Sequence, residues 1–92
     1  MPVQILIPTP LRRYVEHQRA VEVSGATVAD ALDDLVTRHA AVRDHLFDDR
    51  GELRSFINVY VNDEDIRHLD RAATPVSGGD VISIIPSVAG GR

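Results

Sequence analysis

The sequence contains no cysteine, no lysine and no tryptophan, and only two phenylalanines and two tyrosines. Each absence closes off a class of chemistry. Without cysteine there is no disulfide framework, no iron–sulfur centre held by thiolates and no thiol nucleophile. Without lysine the chain offers no side-chain amine as an acyl acceptor. It can be joined to another molecule through its own carboxylate, but it cannot readily form lysine-linked chains on itself. With so few aromatics, the core has to be built from Val, Leu, Ile and Ala. Long hydrophobic runs are missing as well. "VQILIP" is far shorter than a membrane span, and it lacks the basic start and cleavage site of a secretory signal. The expected location is therefore the cytoplasm. Positive charge is scarce: ten arginines stand against ten aspartates and four glutamates, a net charge of −4. That balance argues against non-specific binding to nucleic acid.

What is present reads as one domain, since 92 residues fit a single hydrophobic core. "VQILI" (Val3 to Ile7) alternates as a strand, stopped by Pro8 and Pro10. "TPLRRYVEHQRA" is polar and proline-marked, the connection of a hairpin whose second strand is "VEV" (Val21 to Val23). Thr27 opens a helix. Thr27-Val28-Ala29-Asp30 has the S/T-x-x-D/E start pattern, with Thr27 as N-cap. Val28, Ala31, Leu32, Leu35 and Val36 follow at helical period. Asp30, Asp33 and Asp34 lie in the first turns, at the positive end of the helix dipole. "AVRDHLFDD" adds a short helical turn and "DRGE" a loop. "FINVYVN" (Phe56 to Asn62) alternates strongly, and "NDED" turns the chain. "IRHLDRAATPVSGGD" holds at most one short strand. Gly78-Gly79-Asp80 turns into the last strand, "VISIIP" (Val81 to Pro86). Two hairpin-like ends around one helix define an α+β class.

Few residues invite a chemical role. His17, His39, His45 and His68 show no metal-ligand spacing, and no metal is assigned. Asp63, Glu64 and Asp65 lack the glycine and distal glutamate of a calcium loop, and read as a solvated hairpin tip. The serines lack a nucleophile-elbow context, and Gly78-Gly79 has no phosphate-loop lysine beside it. No active site is legible, so the chain is expected to be non-catalytic. What remains is the end, Ser87-Val88-Ala89-Gly90-Gly91-Arg92. A terminus of small residues is usually just mobile. This one follows a strand closed by proline, and glycine lacks a Cβ, so such a segment can lie extended in a narrow channel.

"FINVYVNDEDIRHLD" together with "GGDVISIIPSVAGG" resembles the ubiquitin-like sulfur carriers of the ThiS/MoaD family, above all the carriers of the cysteine-forming type. The likeness runs over nearly the whole chain. It implies a β-grasp fold, a mixed sheet packed against one main helix. In that fold the first and last strands lie side by side and parallel at the sheet centre. It implies a domain over residues 1–86 and a flexible tail over 87–92, formed by Val88, Ala89 and Gly90 and carrying Gly91 as the reactive end. In such carriers an E1-like enzyme uses ATP to adenylate the carboxylate of the final glycine, and a sulfur donor displaces AMP to leave a thiocarboxylate. The carrier itself binds no cofactor. In the cysteine branch a pyridoxal-phosphate-dependent (PLP) synthase-like enzyme supplies an aminoacrylate acceptor, and a JAMM-type metalloprotease releases the product. The family's docking surface implies outward residues of the last strand and its neighbour. Alternation puts Ile82 and Ile84 in the core and Ile85 outward, with Phe56 and Tyr60 on the same exposed face. Either those two aromatics dock a partner or they cover the edge of the core. The departure from the family is Arg92, which stands where the activating enzyme requires the glycine carboxylate. The expectation is a precursor that loses Arg92 to a peptidase. The other reading of Arg92 is a residue foreign to the natural chain. Two further functions stay open: a modifier joined through Gly91 to lysines of other proteins, and an interaction domain whose tail is inert.

Overall fold

The computed structural model describes residues 2–87. Five strands form one mixed sheet: β1 (Val3–Leu6), β2 (Ala20–Val23), β3 (Ile57–Val61), β4 (Glu64–Asp65) and β5 (Val81–Pro86), in the order β2-β1-β5-β3-β4. β1 and β5 run parallel, and every other neighbouring pair is antiparallel. This is the β-grasp arrangement that the resemblance implies, with the last strand inserted at the sheet centre.

One face of the sheet is covered by α1 (Val28–Arg38). The Thr27 hydroxyl accepts the Asp30 backbone N–H at 3.2 Å, so the helix starts where its cap residue allows. Val28, Ala31, Leu32, Leu35 and Val36 are all buried. They meet Val3, Ile5, Val21, Val23, Ile57, Val59, Val61, Ile82 and Ile84, the inward residues of the strands. The core is aliphatic, as the scarcity of aromatics requires.

Gly25 permits the tight approach of the β2–α1 turn to the helix. A Cβ there would stand 2.7 Å from the Ala31 nitrogen and 2.9 Å from the Asp30 Cβ. The free edge of β2 is also guarded from α1. Asp34 accepts the Ser24 backbone N–H at 2.8 Å, and Arg38 donates to the Glu22 carbonyl at 3.3 Å. Asp34 and Arg38 are themselves paired at 3.2 Å, one helical turn apart.

Three segments depart from the sequence reading. The connection after β1 is a 3-10 helix over Thr9–Tyr14. Burial of Leu11 and of Val15 just beyond it ties this turn to the core, and the local sequence carries no periodicity that announces it. The short strand lies at Glu64–Asp65, inside the stretch read as a turn, because Asn62 and Asp63 (φ 49° and 74°) complete a two-residue hairpin by themselves. The stretch that follows contains two 3-10 turns, Ile66–His68 and Arg71–Ala73. α2 (Arg43–Leu46) is the expected short helical turn.

Candidate functional site

The outer face of the sheet is built by the residues that alternate with the core. Leu6, Ser83 and Tyr60 form one cross-strand row, and Ile85 and Asn58 form the next. Ile85 is 47% exposed, Phe56 44% and Leu6 41%. These are the exposed large hydrophobic residues among those described, and an apolar surface of this kind is what partner proteins cover. Tyr60 is half-buried, with Ser83 on one side and Asp65 on the other. Ile82 and Ile84 point into the core, at 0% and 3% exposure. Phe56 lies in the turn that enters β3, one residue before the strand begins.

Leu6 was missed in the sequence, although its signal is there. In "VQILI" the odd positions are the core residues, so Leu6 is an apolar side chain on the side of Gln4. Asn58 and Ser87 were missed as well. The Ser87 backbone N–H donates to the Phe56 carbonyl at 2.6 Å, and the Asn58 side-chain amide donates to the Ser87 hydroxyl. Val88, Ala89, Gly90, Gly91 and Arg92 lie outside the described residues.

Arg12, beyond the end of β1, donates from Nε to the Ile7 carbonyl at 3.0 Å. Arg67 pairs with Asp65 at 2.6 Å and takes its backbone N–H to the same carboxylate at 2.9 Å. The Arg67 side chain, then its backbone N–H, hold the Asp65 carboxyl down to about 2. The Arg67 guanidinium is raised in turn, chiefly by Asp65 with a smaller contribution from Tyr60. Asp65 is 6% exposed, so it is a buried cap of the 3-10 turn that follows it and not part of a solvated tip. At the opposite end of β5, Asn62 accepts the Val81 N–H at 2.9 Å and donates to Asp80 at 3.0 Å. The Asp80 carboxyl is lowered, first by the Ser77 backbone N–H and then by Asn62. Both ends of the central strand are thus tied to β3 by an asparagine. Among the described residues, no three His, Asp or Glu side chains gather as a metal site.

The sequence profile of the ThiS family matches residues 5–91. The chain belongs to the ThiS family. It is 40% identical to the sulfur carrier protein CysO of Mycobacterium tuberculosis, an alignment covering 99% of this chain and all of that one. Among solved structures it is similar to a chain of the BexX/CysO complex from Amycolatopsis orientalis. There the TM-score is 0.87 and the identity 44%, over 97% of this chain and 99% of that one. It is also similar to the small archaeal modifier protein SAMP1 of Haloferax volcanii, with a TM-score of 0.85 and 33% identity over 99% and 100% of the two chains. This ThiS-family relationship covers the sheet, the helix and the glycine pair alike. The relatives are named as a sulfur carrier and as a protein modifier.

Proposed function

We propose that this chain is a non-catalytic sulfur carrier, the co-substrate of an activating enzyme, with Gly91 as its reactive residue once Arg92 has been removed. In the first step a Gly91 carboxylate oxygen attacks the α-phosphorus of ATP and pyrophosphate leaves. In the second, hydrosulfide attacks the acyl carbon and AMP leaves, and loss of a proton gives the thiocarboxylate. A carboxylate is a poor electrophile, and adenylation supplies the leaving group it lacks. The carrier contributes a docking face and the activated end, and its partners contribute catalysis, as with other group carriers.

The observation that carries this reading is the position of Ser87. The chain leads toward Gly91 from the end of the central strand, beside the exposed Ile85 and Phe56. A partner seated on that apolar face, with Leu6 and Tyr60 at its margin, is well placed to receive the residues that follow. The partners of this reading are an E1-like adenylating enzyme, a PLP-dependent synthase-like acceptor enzyme and a JAMM-type protease that trims Arg92 or releases product. All three suit a cytoplasmic, cysteine-directed pathway, in keeping with the similarity to CysO.

The test is the intact mass after incubation with host lysate, ATP and sulfide. Loss of arginine followed by a gain of about 16 Da, sulfur for oxygen at the carboxylate of a group carrier, supports the carrier. An unchanged mass in a lysate that activates a control carrier overturns it. Adenylation of the Arg92-ended chain as fast as the Gly91-ended chain removes the trimming step. The similarity to SAMP1 favours one second reading, a modifier conjugated to lysines of other proteins. The absence of lysine in this chain suits a modifier that is not itself modified. Isopeptide adducts in the same lysate would identify it.

A further inference from the structure

The exit of the chain from the sheet is held at two points, by Asn58 of β3 and by Phe56 just before that strand. Pro86 lies opposite Ile57 and has no N–H to donate. Val81 and Ser87 both bond to the residues that flank β3, Asn62 and Phe56, so alternation directs the Pro86 nitrogen to the other side, where β1 has already ended at Leu6. The ladder to β3 resumes one residue later, with the Ser87 N–H on the Phe56 carbonyl. The Asn58 amide then reaches diagonally across the outer face to the Ser87 hydroxyl. Asn58 is half-buried, opposite Ile85 and two residues beyond Phe56, two of the three exposed hydrophobic residues of the face. The side chain that orients the exit therefore stands within the candidate docking surface.

We infer that Asn58 is a positioning residue, which fixes Ser87, the last described residue before the segment that carries Gly91, against the sheet for the activating enzyme. The inference rests on the carrier reading above. Docking uses the apolar face and is independent of this hydrogen bond. Seating the reactive end is a later, intramolecular event, and a fixed root reduces the orientations that have to be lost on seating.

The experiment uses the full chain ending at Gly91 in an ATP–pyrophosphate exchange assay with its activating enzyme. Asn58→Ala and Ser87→Ala are each expected to lower kcat by about 3- to 10-fold, the weight of one net hydrogen bond, and Ser87→Ala, which removes a hydroxyl outside the apolar patch, should keep KM within about twofold. The double variant should be no worse than either single one, because both remove the same bond. Asn58→Asp can accept from the Ser87 hydroxyl and should recover most of the rate. In the free protein, Asn58→Ala should speed amide exchange at Ser87 while leaving Tyr60 and Ile84 protected. Wild-type rates in both single variants, additive losses, or unchanged Ser87 exchange overturn the inference and leave the carrier reading intact. Failure of the unmodified Gly91-ended chain to support exchange overturns the carrier reading, and the inference with it.

Discussion

Asp65 is held ionised by Arg67, whose side chain and backbone N–H both bond its carboxylate. Its folded pKa of about 2 lies below the roughly 3.9 of an unfolded aspartate. The interaction therefore contributes stability that is fully present above the unfolded value and is lost as pH falls through the folded one. Melting temperatures of wild type and Asp65→Asn should differ most near neutral pH, with wild type the higher, and converge toward about pH 2. A gap that stays constant across that range would contradict the assignment. The acidic triplet looks uniform in the sequence, yet only Asp65 is buried, because the Asn62–Asp63 turn aims the next residues back along β3. No local pattern separates Asp65 from Asp63, since the difference comes from an arginine two residues on and from the packing around the turn. Leu6 is a different case. Its exposure follows from the period of β1 alone and was there to be read.

At the scale of elements, α1 was legible because cap, period and charge all agree. Thr27→Ala should cost about 1 kcal/mol through the lost cap, measurable by urea denaturation. Leu35→Ala, at a fully buried position, should cost about 2–5 kcal/mol. Gly25 is a sharper test of the turn. Gly25→Ala must push apart backbone and helix, and should cost about 1–3 kcal/mol. An unchanged denaturation midpoint would mean that the turn relaxes freely. The 3-10 segments were illegible for a physical reason. Turns of this length have little intrinsic stability, and two of them are held by single buried residues, Leu11 and Ile66, while Arg71–Ala73 buries none. A single buried residue has no period.

On the scale of the whole molecule, the sheet has one covered face and one that offers Leu6, Ile85 and Phe56 to solvent. Ile85→Ser should leave the melting temperature nearly unchanged, since surface substitutions usually fall within about 0.5 kcal/mol. On the carrier reading proposed above, it should raise KM for activation about 10-fold or more, the cost of a buried interface anchor. Equal KM values would move the docking surface elsewhere. The placement of β5 reaches further, into synthesis itself. Its neighbours β1 and β3 are made early and midway, yet neither can pair across the centre until Val81–Pro86 exists. On the ribosome the sheet stays open while most of the chain is already in solution, and contacts between distant parts of a sequence form slowly. A message cut short before Val81 would thus give a polypeptide without a sheet centre, and the fold is completed only by the last strand to be made.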